Sequence, residues 1–483
     1  MGNAPTTGMM ASMKSQRRVL AAIVILAAWL RLWNLGDNPP ALFRDEAEKG
    51  YTAWSLARLG GYTEFDLRDG APRFHRWPFV IETPGSLTSA IYQYACAPWV
   101  GCFGLNEWAI RLPAALAGVA TVWLCHVLAL ALTGRRALSL LAAALLAISP
   151  WHIVFSRWAA QGIFVPLLMT AGAAVFWRSL RREPSSHWMA WPGSGLLLGL
   201  AAYAYDPARL AAPMVVLAAA VCAWPFVRRR PAAAALAGAA FLAIEAPLIV
   251  LQVTQGAERL DRVSVLGAGG GIWEAAQRIG CNYLSHFSPR YLFVSGDAEL
   301  RHALPGLGQL LVVEAPFLLL GLGVMIWRRR PEDVFVLAWF LAGPVPAAFT
   351  IETPHALRSI AALPAPSLIV ATGMAAVGEW WMRRSGSGGG AAGPTRSEGL
   401  NADTAPGPGQ KAMARWIFPG VVSGAFALNA ALMSYTLFVS YPVLSAPNWQ
   451  YGLKQALWQI GQRTAGGGAA PRVFVSAQDR KST

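Results

Sequence analysis

Asp45 and Glu46 stand side by side in the segment Asn34–Glu48, directly after the first long apolar run of the chain. Adjacent carboxylates at a membrane surface are costly to desolvate unless they are paired or used. Asp45 could take a proton from a hydroxyl or amine as a general base. It could equally cap a helix running from Glu46 to Leu59, with Glu46 and Glu48 favouring the positive end of that helix's dipole. Further along, Arg157, Arg209, Arg301, His302, His355 and Arg358 fall in short polar turns or at the ends of apolar runs. Fixed cations there would stabilise charge left on a departing phosphate, although snorkelling or capping a loop is the commoner role of such an arginine. Tyr203 and Tyr205 could stack on a sugar ring or belong to the aromatic belt of a membrane interface. No His or Cys set has metal-ligand spacing, so no catalytic metal or other cofactor is expected, although Asp45, Glu46 and Glu82 could in principle hold an ion.

The elements that must position these residues are apolar. Of 483 residues 55% are hydrophobic and 13% charged, and the mean hydropathy is +0.40; a soluble domain averages about 25% charge. The expected architecture is an all-α polytopic membrane protein surrounded by membrane lipid. The net charge of +15 is topological rather than a sign of nucleic-acid binding. Six short segments (1–18, 134–136, 178–187, 228–230, 328–333 and 379–415) carry 19 of the 40 Lys and Arg but 6 of the 25 acidic residues, as cytoplasmic loops should. Five scattered cysteines make no disulfide framework. Lys14, Arg17 and Arg18 before the run 19–30, with no small-residue cleavage site after it, suggest a retained signal anchor.

Spans of about 20 apolar residues are expected near 19–35, 110–131, 137–155, 162–177, 193–206, 208–227, 232–253, 306–327, 334–351, 359–380 and 416–440, eleven in all. A twelfth run, 83–106, is long enough to cross. Crossing would move every later arginine cluster to the opposite side, so it is placed as re-entrant or interfacial, with Pro84, Gly85, Pro98 and Gly101 inside it. The organisation is then a cytoplasmic N-terminus (1–18), a transmembrane core (19–380), a cytoplasmic Gly/Pro/Ser-rich linker (381–415), a last span (416–440) and a small outer segment (441–483). Two outer loops, 36–107 and 254–305, carry most of the polar mass. The C-terminal segment is expected to form a helix and then a strand at 472–476, too small for an independent domain and therefore packed on the outer loops.

These motifs fall in a recognisable order. Asp45-Glu46 is followed by Glu82-Thr83-Pro84, by Phe103-Gly104, and by Arg111-Leu112-Pro113 leading to Gly118. Next come Ser149-Pro150-Trp151-His152, Ser156-Arg157 and Tyr203-Ala204-Tyr205-Asp206-Pro207-Ala208-Arg209, then Tyr291-Leu292-Phe293, Gly296-Asp297, Arg301-His302 and Pro354-His355-Ala356-Leu357-Arg358-Ser359. Over residues 19–380 this resembles the protein mannosyltransferases and aminoarabinose transferases, glycosyltransferases of family 39 with the GT-C fold, and is most similar to their prokaryotic branch.

The resemblance implies an inverting transferase that moves a sugar from a polyprenyl-phosphate donor to a protein, lipid or glycan acceptor. Asp45 matches the family's proposed base, and Glu46 would support or orient it. Glu82, Arg157, Arg209, Tyr205, Arg301, His302, His355 and Arg358 would line the substrate site, and Arg111 would fix the start of the second span against the loop carboxylates. Two positions depart from the pattern: Thr83 stands where the aminoarabinose transferases have lysine, and Gly162, beside Gln161, where both branches place an aspartate. The resemblance implies no divalent ion. It points to a bacterial inner membrane with the active site on the outer face. The alternative class is a transporter or flippase of lipid-linked sugars, which would need charged or broken helices at mid-membrane; the interior acidic candidates are Glu245 and Glu314.

Overall fold

The computed structural model describes residues 7–65, 72–83, 86–180, 189–255, 264–265, 271–386 and 408–464. Helix α1 (Thr7–Leu32) runs into an irregular loop and then α2 (Arg44–Leu59). The N-cap of α2 is Phe43, in extended conformation, and the helix stops at Gly60, whose φ of 68° is a left-handed geometry that glycine adopts without strain. Four strands follow in the same loop. β1 (Gly61–Phe65) pairs antiparallel with β2 (Pro72–Arg76), and β3 (Val80–Thr83) with β4 (Ser86–Ser89). Aromatic and β-branched residues such as Tyr62, Thr63, Val80 and Ile81 favour strands, and Tyr62 stacks on His75 across the first hairpin. The molecule is therefore mostly helical rather than all-α.

Helix α3 (Ile91–Phe103) closes that loop with 13 residues and an internal Pro98. A span needs about 20 residues, so the apolar run 83–106 is split between a hairpin strand and a helix too short to cross. Helix α4 (Glu107–Thr133) starts at Asn106, whose Oδ1 accepts the Ala109 amide at 2.9 Å. After α5 (Arg136–Ala147), Ser149 caps and Pro150 opens α6 (Pro150–Phe155), because proline fits the first helical turn but not its continuation. One apolar run thus becomes two helices.

The bundle continues with α7 (Phe164–Leu180), α8 (Ala190–Ala204), α9 (Ala208–Cys222), α10 (Pro231–Gln255), the amphipathic α11 (Ile272–Ser285), α12 (Ala315–Arg328), α13 (Pro331–Ala342), α14 (Ala365–Gly386) and α15 (Pro408–Tyr435). Helices lie at all eleven expected positions. Among the described residues, however, only five stretches are long and apolar enough to cross a bilayer: Glu107–Thr133, Gln161–Leu180, Pro231–Val250, Ile360–Arg384 and Pro419–Leu444. The count of eleven spans is not established by helix length, since proline and polar caps cut runs such as 137–155 and 208–227 into pieces of 12 and 15 residues. The final helix, α16 (Tyr451–Thr464), forms as expected, and the strand expected at 472–476 lies outside the described residues.

Large side chains such as Trp339, Phe155 and Phe335 fill the core, and small residues line the closest helix contacts. Helix α8 packs on α7 and α10, α4 on α5 and α7, and α12 on α14. A Cβ on Gly321 of α12 would overlap the Ile369 carbonyl, and one on Gly373 of α14 would overlap that of Phe317. Small residues let helices approach to backbone contact where lipid supplies no hydrophobic drive. Gly373→Val should therefore cost about 1–3 kcal/mol, visible as a lower melting temperature in detergent; an unchanged melting temperature would contradict the close approach.

Candidate active site

At the first turn of α2 the two neighbouring carboxylates have opposite fates. Glu46 is fully buried and accepts four donors: Arg111 Nε at 3.0 Å and Nη2 at 3.2 Å, the Ala159 amide at 2.9 Å and the Phe43 amide at 3.2 Å. The last of these caps α2, so the capping role expected of Asp45 belongs to Glu46. Asp45, one residue earlier, keeps 49% of its side chain exposed, beside Arg44 at 3.3 Å. Lys49, one turn further, is buried with Nζ on the Ala159 carbonyl at 2.9 Å and over the ring of Tyr92. Burial lowers the Lys49 pKa against the raising pull of Asp45, Glu46 and Glu48. Burial, then the charge of Asp45, raises that of Glu48. The result is an exposed carboxylate held at the mouth of a tightly bonded polar cluster.

Arg111 turns the loop around itself. Its remaining N–H groups donate to the carbonyls of Leu35, Gly36, Pro39 and Ala41 at 2.6–3.2 Å. Arg157 is also engaged with backbone: it donates to Leu30, Trp33, Asn34 and Asn38, and its guanidinium lies over Phe438. Sequence reasoning placed Arg157 in an outer turn but had no signal for these acceptors, because helix-end carbonyls are invisible in side-chain patterns.

The other cations gather in turns at the same end of the bundle. Arg301 pairs with Glu299 at 3.2 Å and lies 3.7 Å over the ring of Phe43, the residue that opens α2. Arg358 pairs with Glu352 at 3.2 Å and donates to Thr350 Oγ1 at 2.9 Å. Arg209 pairs with Asp206 at 2.9 Å. Tyr205 ends α8 in extended conformation. A Cβ on Gly162 would lie 2.7 Å from Leu357 Cδ1 and 3.5 Å from Tyr205 Cδ1. The space beside Gly162 is thus filled by its neighbours, and the turns carrying Arg209 and Arg358 meet across it. Glu82 lies in β3 opposite Leu87, and its side chain is outside the described residues.

His302 and His355 come together on Asp297, which the motifs contained but the candidate residues did not. His302 Nδ1 stands 3.3 Å from Asp297 Oδ2, within ion-pair range but off the line a hydrogen bond needs. The two imidazole centroids are 4.7 Å apart, and His355 Nδ1 is 4.0 Å from the same oxygen. Burial alone would raise the Asp297 pKa, but His302 and the amides of Ala356 and Glu299 outweigh it and hold it below the usual carboxylate range. Burial, with the charges of His302 and Arg358, lowers that of His355.

The C-terminal segment completes this end. Asn448 donates to Glu299 at 2.8 Å, Lys454 pairs with Glu107 at 2.9 Å, and the buried Trp449 lies under the Arg111 guanidinium and against Trp158. Lys49 and Trp449 were not expected here from sequence. Lys49 had a faint signal in its i, i+4 spacing from Asp45; Trp449 had only the expected packing of the C-terminal segment on the outer loops.

In this helical bundle the first loop sets a carboxylate-bearing helix against turns rich in arginine. Residues 21–230 match the family model described as dolichyl-phosphate-mannose-protein mannosyltransferase, so the resemblance seen in the motifs is borne out. The fold is similar to the apo oligosaccharyltransferase of Archaeoglobus fulgidus, with 14% identity, TM-score 0.54, and 87% of this chain and 56% of that one covered. The same archaeal enzyme, AglB, in complex with an inhibitory peptide and a dolichol-phosphate gives 14% identity and TM-score 0.51, covering 90% and 56%. ArnT from Cupriavidus metallidurans bound to undecaprenyl phosphate gives 13% identity and TM-score 0.51, covering 93% and 80%. The chain spans little more than half the length of the archaeal enzyme. No curated protein matches it in sequence.

The pair at the centre of the site has a measurable consequence. Removing one partner of a fully buried ion pair costs about 3–5 kcal/mol because the other charge is left uncompensated. Arg111→Met should destabilise the protein by that amount in thermal unfolding, and Glu46→Gln in the same chain should return part of it. Equal stability of Arg111→Met and wild type would show that the pair is not buried in the folded protein.

Proposed function

We propose that this chain is an inverting glycosyltransferase that takes a sugar from a polyprenyl-phosphate donor and transfers it to an acceptor at the outer face of a bacterial inner membrane. The observation that carries this reading is the contrast at α2: Glu46 is saturated by four donors, while its neighbour Asp45 remains half-exposed at the loop end of the bundle. A general base must be held in place and still reach its substrate.

In this reading Asp45 accepts the proton of the acceptor's hydroxyl or amine as that atom attacks the anomeric carbon. The bond from that carbon to the phosphate oxygen breaks on the opposite face, its electrons stay with the phosphate, and the configuration inverts. Arg209 and Arg358 take the developing phosphate charge. Arg209 pairs with Asp206 and Arg358 with Glu352 across partly exposed contacts, and their turns meet across Gly162. Fixed cations aimed at charge that grows in the transition state lower the barrier without reorganisation. Tyr205, whose ring lies beside Gly162, packs against the sugar or the lipid head. Glu46, Arg111 and Arg157 position the loop and do not touch substrate, and Arg301 positions Phe43.

Two similar proteins bind polyprenyl phosphates, which supports a lipid-linked donor: ArnT is bound to undecaprenyl phosphate and AglB to a dolichol-phosphate. The family description names a protein acceptor, which makes protein the favoured one of the three acceptor classes.

Transfer from a panel of labelled polyprenyl-phosphate sugars to membrane acceptors tests the proposal. Asp45→Asn should lower turnover by about 100-fold or more with donor binding retained, and Arg358→Met should weaken donor binding. If wild type binds a donor without turnover while reconstituted vesicles move it across the bilayer, the transferase reading falls and a flippase replaces it.

A further inference from the structure

Asp297, His302 and His355 place one ligand atom each within 4.8 Å of the others, and all three side chains are buried. We propose that they form a binding site for one divalent transition-metal ion of the zinc type, with three protein ligands and a fourth position open. The inference concerns the ion alone and stands whether or not the chain transfers sugars.

The donor set is the first argument. Two imidazole nitrogens and a carboxylate oxygen are the ligands that zinc and its first-row neighbours select, whereas magnesium and calcium take oxygen. The spacing is the second. With metal–ligand bonds of about 2.0 Å, tetrahedral ligands lie roughly 3.3 Å apart; Asp297 Oδ2 and His302 Nδ1 are separated by 3.3 Å, and His355 Nδ1 is 4.0 Å from the same oxygen. All three ligand atoms lie within 4.8 Å of one another, so small side-chain rotations close the set.

The third argument is that the ligand atoms are oriented and underused. His302 Nδ1 is buried without a hydrogen-bond partner, an arrangement with a cost unless something else meets it. His355 Nδ1 faces the Arg358 amide at 3.3 Å, so its lone pair is present and only weakly engaged. Asp297 is held from behind as metal carboxylates are: Oδ2 accepts the Ala356 amide at 2.7 Å and Oδ1 the Glu299 amide at 3.0 Å. A fourth group nearby, His286, is excluded as a ligand. Its Nδ1 lies 2.8 Å from the Asn282 carbonyl and its Nε2 accepts the His355 amide at 3.1 Å, which uses both ring nitrogens.

Nearby positive charge does not forbid the ion, because Arg301 and Arg358 have Glu299 and Glu352 as partners. A bound ion would clasp the 297–302 turn to the turn carrying His355 and Arg358, the two segments that bring Arg301 and Arg358 to the loop end.

The test uses the full-length, tag-free protein in detergent, stripped with chelator and titrated with Co2+ and Zn2+. Wild type should take up about one equivalent, with the visible bands of four- or five-coordinate Co2+ displaced by Zn2+. His302→Asn and His355→Asn should each lose the bands at metal concentrations that saturate wild type, while remaining monodisperse. X-ray absorption of the Co2+-loaded wild type gives a readout independent of any variant, and should report two imidazole ligands. No uptake by wild type, uptake unchanged in the double variant, or fewer than two imidazoles would overturn the site and leave Asp297 and His302 as a simple ion pair.

Discussion

The buried pair between Glu46 and Arg111 is the constraint on which the loop end of this molecule depends. Two charges taken out of water are tolerated only when every remaining hydrogen-bonding valence is met. Here Glu46 receives two guanidinium N–H groups and two backbone amides, and Arg111 donates in turn to four loop carbonyls. One ion pair therefore joins the start of α4, the first turn of α2, the turn at Ala159 and the irregular chain between α1 and α2. It also decides which of two adjacent carboxylates is buried and which stays half-exposed.

Around this pair lie further polar contacts of the same kind. Arg157 ties the end of α1 to the Phe155–Ala159 turn through carbonyls, Lys49 ties α2 to that same turn, and Trp449 of the C-terminal segment covers Arg111. Apolar burial cannot fix a single geometry at a membrane surface where lipid and protein are equally apolar. Directional bonds do so instead. The small-residue seams of the bundle hold the helices, and the charged network holds the loops on them.

Much of this was legible in the residues. The order Asp45-Glu46, Arg111-Leu112-Pro113, Ser149-Pro150 and Arg358-Ser359 pointed to the fold because each motif has a local physical job: a cap, a buried partner or a helix start. Arg111 was expected to hold the loop carboxylates and does. The division of labour between Asp45 and Glu46 was not legible, since sequence cannot say which carboxylate faces inward. Nor was the role of Arg157, whose partners are backbone carbonyls of another helix. The hairpins were missed because an apolar run such as 83–106 suits a strand as well as a helix. The Asp297, His302 and His355 cluster was hidden because its members sit in two turns that only folding brings together, so no local spacing betrays them.

The central claim is that the loop end presents Asp45 and the arginine turns to opposite sides of one substrate. A structure determined with a polyprenyl-phosphate sugar bound tests it most directly. The account predicts the phosphate against Arg209 and Arg358 and the anomeric carbon facing Asp45 from the other side. A phosphate bound away from both arginines, or on the same side of the sugar as Asp45, would contradict it.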